Sequence, residues 1–86
     1  MDSLLKKRNE THGDYQEQFR VAQELKEVLH TYEWNKLPDV QREALEMICT
    51  KISRIVVGDC SHTDHWNDVA GYALRVVDSL KRFSDA

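Results

Sequence analysis

Residues 43–72, EALEMICTKISRIVVGDCSHTDHWNDVAGY, carry two helix-period patterns on either side of a short turn. Leu45, Ile48, Ile52, Ile55 and Val56 recur every three or four residues, with Ala44 and Cys49 at the sides of the stripe. Gly58 supplies a stop, and Ser61 with Asp64 matches a capping box that opens the next helix. So short a turn demands an antiparallel helical hairpin. The same stretch concentrates acids. Glu43 and Glu46 stand three residues apart on one helix face, and Asp64, His65 and Asp68 gather in the first turns of the following helix. Carboxylates brought together from two helices can hold a hard cation such as Mg²⁺, and the cation can hold phosphates. Acids near helix starts also simply complement the helix dipole and face water, which is the commoner case.

Outward from the hairpin the helical pattern continues. Trp66, Val69, Ala70, Ala73, Val76, Val77, Leu80 and Phe83 form one long stripe, with Asp64, Asp68, Gly71 and Arg75 opposite and His65 and Tyr72 flanking. Gly71 inside a helix costs about 1 kcal/mol relative to alanine, which a close helix or ligand contact would explain. Upstream, Leu37-Pro38-Asp39 opens the first hairpin helix, with Pro38 suited to its first turn. A further helix is expected from Tyr15 to Tyr32, with Tyr15, Phe19, Ala22, Leu25, Leu29 and Tyr32 as its packing seam and Asp14 with Glu17 as its capping box. Met1–Glu10 reads as a short helix anchored by Leu4 and Leu5. The expected fold is all-α: a single domain over 1–86, a bundle of about four helices around a central antiparallel hairpin.

The polar positions supply the candidate ligand contacts. Glu43, Thr50 and Arg54 fall on one line of the helix, with Glu46 beside it, away from the apolar centre. Lys51 lies between line and stripe, where it snorkels or meets a phosphate. His12 precedes the turn at Gly13, either as an exposed loop residue or facing an anion together with the free N–H groups of the next helix. His30 is expected to favour the carbonyl end of its helix. Cys60, His62 and His65 fit no standard zinc spacing, and Cys49 and Cys60 read as free thiols of a reducing cytoplasm.

Charged residues make up 31% of the 86, at a net charge of −3. That balance argues against a general nucleic-acid binder, which shows a basic face. No apolar run is long enough for a bilayer and no signal-peptide core follows Met1, so no membrane association and a cytoplasmic location are expected. A chain this short barely fills one core, and a homo-oligomer would supply the missing burial.

Three runs together, THGDYQEQFRVAQELK, LPDVQREALEMICTKISRIVVGD and DHWNDVAGYA, resemble a family of small phage and prophage proteins from Thr11 to about Ala73. That family is in turn distantly similar to the MazG-like, all-helical nucleoside triphosphate pyrophosphohydrolases. Those enzymes resemble one another in a Glu-x-x-Glu pair on one helix and a Glu-x-x-Asp pair on the next, which bind Mg²⁺. Glu43 and Glu46 match the first pair and Asp68 the last acid, while His65 stands where the pattern has glutamate. Imidazole is a poor Mg²⁺ ligand beside carboxylate. The resemblance implies Mg²⁺ at Glu43, Glu46 and Asp68, with phosphate contacts from Lys51 or Arg54; His12, His65 and Tyr72 are further candidate ligand-binding residues by their positions. Two functions follow from it. One is an enzyme in which a metal-bound water cleaves a nucleoside triphosphate between its α and β phosphates. The other is a non-catalytic phage protein that sequesters a nucleotide signal or blocks a host defence protein in the host cytoplasm.

Overall fold

The computed structural model of the protein describes residues 13–85. The helix expected over Met1–Glu10, and His12, lie outside the described residues. Among the described residues there are three α-helices, a 3-10 turn and no strand: α1 at Tyr15–His30, the turn at Trp34–Lys36, α2 at Asp39–Val57 and α3 at Thr63–Asp85. The described residues are all-helical, as the periodicities require.

Each terminus has a local cause. Asp14 caps α1, its carboxylate accepting the Gln16 N–H at 3.2 Å. Glu17 stands in the first turn but is paired with Arg20, which also reaches Glu24 at 2.7 Å. Pro38 occupies the cap position of α2, one residue outside the first turn where the sequence placed it. The Gly58 N–H closes α2 on the Arg54 carbonyl at 3.0 Å, with an ordinary negative φ of −103°. Because α3 begins at Thr63, Ser61 sits one residue too early to cap it. The turn is built differently: Asp59 accepts the Ser61 N–H at 2.9 Å, and the Trp66 indole N–H donates to the Cys60 carbonyl at 2.8 Å.

The glycine that conformation does require is Gly13, at φ +81°. A Cβ there would lie 2.5 Å from the Val57 carbonyl oxygen, so the entry to α1 is docked on the end of α2. Gly13→Ala combines a left-handed backbone with a clash against main chain. It should destabilise the protein by about 2 kcal/mol. An unchanged urea midpoint would show that this docking contributes nothing.

In the packing, α2 lies between α1 and α3, and the two outer helices hardly touch. One edge of α2, Cys49 with Ser53, faces α1: the Lys26 charge bears on the Cys49 thiol, and Ser53 is fully buried. The other edge faces α3, where Lys51 meets Asp68 and Ala44, Leu45 and Ile48 share a groove with Ala73 and Val76. The contacts are therefore made by small side chains, Ala22, Ala44, Cys49 and Ser53, together with Gln18 and Ile55. Small residues bring the helix axes close and leave large neighbours outside. This rotates α1 from its expected seam: Gln18 and Ala22 are buried, while Tyr15, Phe19 and Tyr32 are exposed. On α2 the stripe is split the same way, with Ile55 buried and Leu45, Ile52 and Val56 exposed. No helix among the described residues is long and apolar enough to cross a membrane.

Candidate functional site

With α1 on one edge of α2 and α3 on the other, two sides of α2 stay open. One is apolar. The other carries Glu43, Thr50 and Arg54, and the chemistry-bearing residues sit along it.

Its centre is Lys51. The aliphatic stem is packed into the α2–α3 contact, leaving the residue 8% exposed, and Nζ lies 3.0 Å from the Asp68 carboxylate. Half-exposed Asp68 is held below the usual carboxylate range, chiefly by the hydrogen bond from Lys51, against some desolvation. The charges of Lys51, His65 and Arg54 act in the same direction as the hydrogen bond. Arg54, one turn on from Lys51, has a buried Nε with no hydrogen-bond partner. Two fixed cations thus attend one carboxylate, and one of them has unused donor capacity.

His65 is 2% exposed, buried beneath this group and stacked edge-on against His62 with centroids 4.6 Å apart. The sequence places it at the flank of the polar line, and the structure buries it there. Tyr72 is half-buried, its ring beneath the Arg75 guanidinium at 4.9 Å. Asn67, Asp68, Gly71, Tyr72 and Arg75 line a shallow recess. A Cβ on Gly71 would meet nothing within 4 Å, so no neighbouring helix explains that glycine. Gly71→Ala should raise stability by about 1 kcal/mol through helix propensity alone. Thermal denaturation of the variant checks this, and a fall in melting temperature would reveal a contact at that position.

Glu43 and Glu46 are a separate group. Lys51 meets Asp68, and Glu46 precedes Lys51 by five residues on α2. At 1.5 Å per residue that is about 7.5 Å along the axis. Glu46 instead meets His30 Nε2 at 3.3 Å, and the imidazole stacks on Trp34 at 4.8 Å between centroids. Asp39, Arg42 and Glu43 complete the recess beside them. Among the described residues no three His, Cys, Asp or Glu side chains gather as a metal-holding group, so Glu43, Glu46 and Asp68 do not form one cage within this chain. His30 is a contact that sequence reasoning missed. Its place in the last turn predicts that it complements the end of its own helix, but it reaches across to α2. Trp34, four residues on, was the only signal of an aromatic neighbour.

Neither cysteine is in a disulfide: Cys60 is exposed, while Cys49 is buried and its thiol pushed up by desolvation. No curated protein and no solved structure matches the chain. A family model described as a domain of unknown function, DUF6378, matches residues 2–77, most of the chain, and the protein belongs to that family.

Proposed function

We propose that this protein binds a phosphorylated nucleotide at Lys51 and Arg54 and holds it without turnover. The observation that carries the reading is the charge of the site. Lys51 and Arg54 outweigh Asp68, in a chain whose net charge is −3. A locally positive, partly buried group favours an anion, and the unpaired Arg54 Nε offers it a donor. A divalent cation at Asp68 would have to displace the Lys51 ammonium from its hydrogen bond. His65, buried where the enzyme pattern has glutamate, supplies no second carboxylate. That the anion is a nucleotide rests on the resemblance to phage proteins and, through them, to MazG-like enzymes. On that reading the protein withholds a nucleotide signal in an infected cell, using a MazG-like scaffold without its metal chemistry.

A second reading, Mg²⁺-dependent pyrophosphohydrolysis, is favoured by Glu43 and Glu46 standing together on the open side. It requires Asp68 to leave Lys51 and join them. Titration calorimetry with nucleoside triphosphates, in EDTA and then in Mg²⁺, together with a pyrophosphate assay, separates the two. The binding reading expects heat in EDTA and no pyrophosphate in either condition. Pyrophosphate released only with Mg²⁺, and lost in Glu46→Gln, would replace it with the second reading. No binding in either condition would end both.

A further inference from the structure

We infer that the apolar side of the helical layer is the contact between two copies of this chain. Leu45, Ile52 and Val56 of α2 point to that side and are exposed, and α3 adds Ala73, Val77 and Leu80 at the matching four- and three-residue steps. Between the two helices runs a groove lined by Gln41, Ala44, Leu45, Ile48, Val76 and Leu80, none of them charged. A helical layer must bury such a side against a second layer. Three observations make that second layer another copy.

The first is area. The chain exposes 6440 Å², against about 5,300 Å² for a compact monomer of its mass. Its radius of gyration is 15.0 Å, where about 12 Å is usual for this length. The excess of about 1,100 Å² exceeds the roughly 800 Å² that each partner buries in a standard interface. The second is the rest of the chain. Residues 1–12 carry only Met1, Leu4 and Leu5 as large apolar side chains, too few to cover a side that runs from Val56 to Leu45 and Leu80. The third is charge. Two acidic chains repel, and a two-fold contact through an uncharged groove brings no like charges face to face. Such burial is needed for the fold itself, since the buried apolar residues among those described are Ala22, Ala44, Cys49 and Ile55. A copy of the chain is the partner present wherever the chain is.

Light scattering of the full chain at micromolar concentration should give about twice the 10.1 kDa of one chain. Its melting temperature should rise by roughly 5 °C or more across a hundredfold range of concentration, because association and folding are linked. Ile52→Glu should halve the mass, and Leu74→Glu, which leaves the groove untouched, should not. Should Ile52→Glu fail to fold, Ile52→Cys in a Cys60→Ser background still decides. A short bismaleimide should join two copies of it, and Asp64→Cys in the same background should stay single. A monomer whose melting temperature is independent of concentration would overturn the inference. A dimer that survives Ile52→Glu, or that Leu74→Glu dissociates, would move the contact to another face and overturn it equally. Nucleotide binding plays no part in these readouts.

Discussion

Ser53→Leu should be the most damaging single substitution in the described part of the chain. Ser53 is fully buried on the α2 edge that meets α1, and its hydroxyl donates to the Thr50 carbonyl at 2.6 Å. Nothing but close helix approach explains so small a residue at a site with no exposure. Leucine there adds three carbons between two backbones held together by Ala22, Cys49 and Ser53 itself. Overpacking of this kind costs about 3 kcal/mol, a large share of the stability of a small domain. Ser53→Ala is the control. It loses only a bond to the helix's own carbonyl and gains helix propensity, so it should fall within about 0.5 kcal/mol of the parent. Urea unfolding followed by circular dichroism compares the three proteins. A leucine variant as stable as the parent would mean that α1 is not packed where the structure puts it.

Lys51→Met should have the largest effect on binding. Methionine refills the space of the aliphatic stem but offers neither charge nor donor. Loss of a charge-assisted hydrogen bond to phosphate weakens binding about tenfold or more. The same variant has a signature in pH. The Asp68 carboxyl is held low in the folded protein, principally by Lys51. Whatever stability this gives is present above the ordinary aspartate value, near pH 4, and disappears as pH falls through the lower folded value. Parent and variant should therefore differ at neutral pH and converge once the pH has fallen through the lowered folded value. Matched urea midpoints across the acid range would show it. A constant offset at all pH values would mean that Lys51 acts through packing alone.

Much of this was legible in the sequence. The hairpin followed from the period of Leu45, Ile48, Ile52 and Ile55 and from Gly58, which ends α2 where expected. Asp14 and Asp39 marked their helix starts. The buried faces were harder to read. Hydrophobic period locates an apolar stripe, but a stripe is not by itself a core. In a layer of three helices the middle one needs two buried edges, and small residues decide where these fall. Hence Ala44, Cys49 and Ser53 are inside while Leu45, Ile52 and Val56 are out. Phe19, at 57% exposure, and Gln18, buried at 3%, exchange the roles their polarity suggests.

The site shows the same limit. Spacing leaves Lys51 between snorkelling and a phosphate contact, and the structure adds that it is already engaged by Asp68. Spacing gives neither the register of the hairpin nor the packing of α1, which brings His30 to Glu46. Register depends on which side chains interlock along the whole length of two helices, and no local pattern encodes that.

The sparse contact between α1 and α3 has a consequence for how the chain reaches this structure. Among the described residues every substantial packing contact joins a helix to its neighbour in sequence, α1 to α2 and α2 to α3. No helix has to wait for a distant segment to return. Loop closure is then short at each step, and proteins of such low contact order complete folding in microseconds to milliseconds. The slow event for this chain would be the meeting of two molecules, whose rate depends on concentration while hairpin formation does not.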